Sequence, residues 1–281
     1  MSVRDRANPS SFIATLSGSH RFILSYLTEE VLAQQPEEIQ SFLLQTSVLD
    51  RLSGDLCNAV TGRTDGHLLL EQLFNANLFL IPLDDEQRWY RYHHLFSDLL
   101  RDLQKALQKN KTDELHQRAS HWYAQADMAS EAIHHALVAK DYAMAVQLLE
   151  RHVMDMLMQW HVKTVDRFLQ EIPPQLSMQN SRANLAFAWM YLLRGDYAQA
   201  SPYVERLQAI FSSSQMDEMD ISLQAEWLAL QAMLLNAQAK PAESLDLADQ
   251  ALEIVPEKDV YVRSLIYMGL ASAHQQLDDY G

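Results

Sequence analysis

At 281 residues and 48% hydrophobic, with 7 glycines and 8 prolines, the chain is long enough for two domains and suits long helices with few irregular loops. Its formal net charge is −15, and the acidity is uneven: residues 1–111 hold 11 basic and 14 acidic side chains, residues 112–281 hold 11 and 23. The second part would repel a phosphate backbone, the single Cys57 excludes an internal disulfide, and no apolar run reaches the ~18 residues of a membrane helix. A soluble, cytoplasmic protein is expected.

After a polar start, Ser17 and Ser19 can cap a helix from about Arg21 to Gln34, with Phe22, Tyr26, Leu27, Val31 and Leu32 on one stripe. Pro36 and the acids Glu37 and Glu38 then open a helix reaching Leu49. A short helix (Gly54–Val60), a turn at Gly62 to Gly66 and a helix (His67–Asn75) follow. Leu78–Leu83 and Arg88–Tyr92 read as two strands around the acidic turn Asp84-Asp85-Glu86-Gln87. Pro82 donates nothing to a ladder, so its strand is an edge or ends soon after it. From His93 the apolar residues Leu95, Phe96, Leu99, Leu100 and Leu103 recur at helical spacing.

Three helices and a two-stranded wing predict a winged helix-turn-helix over residues 36–111. That fold suggests DNA, but the helix that would enter the groove, His67 to Asn75, has no Lys or Arg, and none occurs between Arg63 and Arg88. A groove reader needs cations for phosphates and side chains for base edges. This helix offers neither, so no direct nucleic-acid binding is expected.

Beyond Lys111 the pattern is wholly helical, with helices expected at Asp113–Gln125, Ser130–Val138, Tyr142–Gln159, Val162–Gln170, Arg182–Arg194, Tyr197–Phe211, Ile221–Gln238, Ala242–Ile254 and Val260–Leu277. Ala188, Tyr191, Gly195, Tyr197 and Ala200 follow the tetratricopeptide spacing, and Ala232 and Ala271 take the place of Ala188 in two later units. Asp141-Tyr142-Ala143 echoes Asp196-Tyr197-Ala198, which starts the array before residue 140. The fold class is therefore mainly α: a winged helix-turn-helix with a small β-hairpin, then a tetratricopeptide-like α-superhelix over 112–281 with a concave face. The array reads as incomplete at Asp279-Tyr280-Gly281.

No catalytic constellation stands out, and no enzyme is expected. There is no phosphate loop, since Gly62 to Gly66 is too short and runs into His67. The histidine pairs His93-His94 and His134-His135 diverge on a helix, His116 and His121 share no face, and no metal site is expected. Arg88 and Arg91 lie on opposite faces of the wing strand, placed to pair with the turn's acids or to dock a neighbouring domain.

The segment WYRYHHLFSDLLR resembles the one closing the winged-helix module of large ATP-dependent LuxR-family regulators of the MalT type. SGSHRFILSYLTEEVL, FLLQTSVLDRLSGDLCNAVTG, LHQRASHWY and EAIHHAL fit the same family in the same order. The resemblance implies that residues 1–35 are a polar tail and a remnant helix of an upstream ATPase arm. It also implies that this chain, which holds no cofactor of its own, is the signal-sensing and coupling part of a longer regulator. Its partners would be an inducer on the repeats, an ATPase core that binds ATP or ADP, and further copies in self-association. Related modules carry Met-His-Asp where Tyr92-His93-His94 stands here, so the resemblance implies that His93 contacts the phosphate of ADP. The other reading is that His93 ends the strand and caps the helix. The alternative for the whole chain is a free-standing helical-repeat adaptor for a peptide or protein.

Overall fold

Pro36, with its φ already helical, starts α1 (Glu37–Thr46), and Ser53 starts α2 (Gly54–Thr61) by accepting the Leu56 N–H on its hydroxyl at 3.3 Å. The computed structural model describes residues 27–107, 109–158, 161–173, 176, 181–213 and 220–279. Of the helix expected over 21–34, residues 21–26 lie outside the described residues, and Leu27–Leu32 forms a π-helical turn that buries Leu27, Val31 and Leu32. α3 (Gly66–Asn75) begins against α2, where the Gly66 amide donates to Asn58 Oδ1 at 2.7 Å. A Cβ on Gly66 would lie 2.7 Å from the Gly54 carbonyl oxygen, so this approach requires glycine.

The wing is shorter than the apolar runs predict: β1 (Leu80–Pro82) pairs antiparallel with β2 (Tyr90–Tyr92), Leu80 opposite Tyr92 and Pro82 opposite Tyr90. Phe79 and Gln87 take φ 53°, which breaks the extended backbone on both sides. Tyr90 also exchanges both backbone hydrogen bonds with Leu52, at 2.8 and 2.9 Å, so β2 is paired on two sides and Pro82 sits on the edge. α4 (His94–Leu107) closes the module. Phe42, Leu43, Leu56, Leu70, Leu73, Phe96 and Leu99 form its core. Inside it the Tyr92 hydroxyl lies 2.7 Å from Thr46 Oγ1; Thr46 donates to the Phe42 carbonyl, so Tyr92 is the donor of this pair.

The chain divides into two compact units, residues 1–145 and 146–281. The first also contains the hairpin of α5 (Lys109–Gln125) and α6 (Ala129–Val138), with α5 packed on α2 and α4. The second begins within α7 (Tyr142–Met158) and continues through α8 (Val162–Glu171), α9 (Ser181–Leu193), α10 (Tyr197–Ser213), α11 (Ile221–Ala237), α12 (Pro241–Ile254) and α13 (Val260–Asp279). There α9 packs on α10, α11 on α12, and α13 on both α11 and α12, a stack of helix pairs around Trp189, Leu207, Leu230 and Ile266.

Three hairpins share one skeleton. A small buried residue (Ser120, Ala188, Ala232) is followed seven positions on by a residue at positive φ (Asp127, Gly195, Ala239). Five positions later another small buried residue faces the first (Ala132, Ala200, Ser244). Ser120 donates to the Ala132 carbonyl and Ser244 to the Ala232 carbonyl, both at 2.8 Å, so helix axes come close enough for a side-chain hydroxyl to reach the partner backbone. The left-handed residue ends the first helix of each pair.

Two details of the helical repeats differ from the sequence expectation. Ala271 is exposed, and the buried small residues of α13 are Gly269 and Ala273. They continue the stripe of Ile266 at helical spacing, and the Gly269 carbonyl accepts from Asn236 Nδ2 at 2.8 Å. Tyr197 is half exposed; the aromatic that fills between α9 and α10 is Tyr203, stacked on Phe187 at 4.5 Å. Gly195 has open space around its Cβ position, so only the backbone term counts there. Gly195→Ala should lower the stability of the second unit by ~1–2 kcal/mol, and Ala239→Gly should raise it by a smaller amount, in urea denaturation. The same sign for both would refute the shared skeleton.

Candidate functional site

The wing turn is tied by one carboxylate. Asp84 accepts the Arg88 and Trp89 backbone N–H groups at 2.8 and 2.9 Å, and the Arg88 guanidinium lies 2.9 Å from Glu86 in solvent. Arg91 stands exposed on β2. The structure thus separates the two arginines, with only Arg88 engaged by the turn's acids.

His93 joins β2 to α4. Its N–H donates to the Phe79 carbonyl at 2.7 Å, and its own carbonyl accepts from Phe96 and Ser97, so its backbone ends the hairpin and opens the helix. The half-buried ring lies edge-on to Phe79 and tilted on His94, 4.3 Å between centroids. No hydrogen bond engages its imidazole among the described residues.

On α3, Leu69, Leu70 and Leu73 turn inward, while His67, Leu68, Glu71, Gln72 and Asn75 are exposed. That face carries one carboxylate and no Lys or Arg. Arg63, which precedes the helix in sequence, is held by Asp65 in a bidentate pair, both contacts 2.7 Å. A family model described as the MalT winged helix domain matches residues 28–113. Residues 28–113 are a MalT-type winged helix.

The likeness to MalT extends over most of the chain. It is 30% identical over 251 residues to the HTH-type transcriptional regulator MalT of Serratia proteamaculans, covering 89% of this chain and 27% of that protein. For MalT of Yersinia enterocolitica the values are 31%, 89% and 28%. The serine/threonine-protein kinase PknK of Mycobacterium tuberculosis is 32% identical over 234 residues, 83% of this chain and 21% of the kinase. The chain spans about a fifth to a little over a quarter of the length of these relatives. No helix among the described residues is long and apolar enough to cross a membrane.

Two clusters escape the sequence reading. Beside the MalT-type winged helix, His116 on α5 and His135 on α6 meet in the core with Nδ1 atoms 2.7 Å apart, and Tyr123 stacks on His135. One imidazole donates and the other accepts across this contact. Burial, and then the neighbouring histidine charges, push both well below the ordinary imidazole range. No group of three metal-ligating side chains gathers among the described residues.

In the second unit, a cavity of about 330 Å³ is lined by Glu150, Asp155, Arg182, Glu226, Asp259 and Tyr261. Burial pushes the Glu226 carboxyl up to about 7; Arg182 opposes this, and Asp259 and Asp220 reinforce it. The folded protein therefore favours neutral Glu226, and its stabilisation, complete below the ordinary carboxylate range, is lost as pH rises through about 7. Glu226→Gln should thus gain stability relative to the parent chain between pH 5 and pH 8, read by urea denaturation. A difference that does not change with pH would contradict a buried, reluctantly ionised Glu226.

Proposed function

We propose that this chain is the signal-coupling part of a MalT-like, ATP-dependent regulator of the LuxR class. The winged helix is the joint between a nucleotide-binding core and a helical-repeat region that takes an inducer. The observation that carries this reading is the exposed face of α3: a DNA-reader fold whose groove-facing helix offers a carboxylate and no cation. Such a face serves packing against protein rather than phosphate. The relatives support transmission over output. Similar stretches occur in proteins named for protein phosphorylation and for transcription regulation, so what they share is suited to input common to both.

On this reading the chain has no catalytic activity, works in the cytoplasm, contacts no nucleic acid directly, and acts with an inducer, an ATPase core and further copies. His93 supports the nucleotide link. Its imidazole has no hydrogen bond among the described residues, and it stands at the N-terminus of α4, where backbone dipoles favour an anion. Arg91, exposed on β2, would on this reading dock the core. The polar cavity at Glu226 favours the second reading, a helical-repeat adaptor that holds a peptide; micromolar capture of an extended peptide by this chain alone would select it.

The test is nucleotide retention in a regulator that carries this stretch and its ATPase core. His93→Ala should speed ADP loss on desalting and raise self-association without inducer, while the chain alone leaves duplex DNA unshifted at physiological salt. Unchanged ADP retention, or a DNA complex whose affinity falls steeply with salt, would contradict the proposal.

A further inference from the structure

Gln104 is the least explained side chain of the first unit. It points inward from α4, is 1% exposed, and neither its Nε2 nor its Oε1 has a hydrogen-bond partner among the described residues. Exchanging the two atoms of the carboxamide changes nothing, because both are unpartnered. Leaving such buried groups unpartnered is costly unless something fills the space beside them.

That space is a cavity of about 250 Å³, lined by Gln104 with Asp50, Arg101, Lys105, His116 and His134. Its walls come from the loop after α1, from α4 and from the α5–α6 hairpin. Arg101 is fixed at its rim, donating to the Ser47 carbonyl at 2.8 Å and to Asp50 at 2.6 Å. Asp50 is thereby engaged, and Lys105, one position beyond Gln104, has no ion pair among the described residues. The cavity carries two cations against one occupied carboxylate.

We propose that this cavity binds a small oxyanion that also carries a hydroxyl, a hydroxycarboxylate or a phosphorylated polyol, with Gln104 as its central recognition residue. Nε2 donates to the oxyanion, Oε1 accepts from the ligand hydroxyl, and Lys105 supplies the countercharge. A carboxamide offers this donor–acceptor pair in one rigid plane. The volume admits a ligand smaller than the usual drug-sized pocket occupant. Because the walls belong to the winged helix on one side and the first hairpin on the other, occupancy would tighten the join between them. The site is separate from the His93 position and from the repeats of the second unit, and it does not depend on the proposed regulator role.

The experiment is a nitrogen-edited NMR titration of the His116 and His135 imidazoles in the full chain, with L-malate as the carboxylate probe and glycerol 3-phosphate as the phosphate probe. A saturable shift with either probe at millimolar concentration is expected, and the probe that binds identifies the anion. Gln104→Leu should fold with equal or greater stability and bind about tenfold more weakly, the loss of one charge-assisted hydrogen bond. Lys105→Ala, on an exposed position, should also weaken binding and keeps the test decisive if the leucine variant misfolds. No saturable shift with either probe, unchanged affinity in both variants, or a Gln104→Leu chain that loses stability without any probe binding would overturn the proposal. The last result would assign the carboxamide to ordered water.

Discussion

The first unit depends on the packing of one short helix from several sides. α2 spans Gly54–Thr61, and its Leu56, Cys57 and Val60 have no exposed surface. It meets α1 and α3 within the winged helix and α5 of the following hairpin. Its last turn is bound as well, since Arg118 on α5 donates to the Val60 carbonyl at 3.1 Å and so occupies a helix-end acceptor that would otherwise face solvent. Cys57 sits at the centre of this contact, and burial pushes its thiol far up, which makes it an inert packing residue rather than a nucleophile. A helix of eight residues has little stability alone. Its structure comes from its neighbours, and through it the winged helix and the hairpin are held together.

This arrangement explains why a fold associated with DNA carries no cations on the helix that would read it. The inner face of α3 completes the module's core, and its outer face is left polar, weakly acidic and partly apolar at Leu68. Arg63, just before its start, is paired with Asp65. The fold is kept as a rigid block of complementary faces, and the charge pattern that makes such a block bind nucleic acid is absent from this face.

Much of this was legible in the sequence. Helix limits followed from apolar periodicity and from capping residues, and the skeleton at Ala188, Gly195 and Ala200 stood out because glycine marks the left-handed turn. The same skeleton at Ser120, Asp127 and Ala132 was hidden, since neither serine nor aspartate signals close packing or positive φ by itself. Extending the seven- and twelve-residue spacing to Ser120 would have placed His116 and His135 on facing turns and exposed the buried pair. Ala271 misled because one small residue aligns a helix only to within a turn; the neighbouring stripe of Ile266, Gly269 and Ala273 was the better guide. The strands came out short because Phe79 and Gln87 adopt positive φ, which their side chains do not announce. Gln104 was visible: it follows Leu100 by four positions on an amphipathic helix, a polar group on the apolar stripe.

The central claim is that the MalT-type winged helix and the α5–α6 hairpin form one cooperative body, able to pass a change in one to the other. Native-state hydrogen exchange of the full chain across a urea series tests it directly. The amides of α2, α4, α5 and α6 should converge on a single opening with one free energy and one urea dependence. If α5 and α6 open at markedly lower urea while α2 and α4 stay protected, the two are separate bodies and the winged helix is not a coupler of this kind.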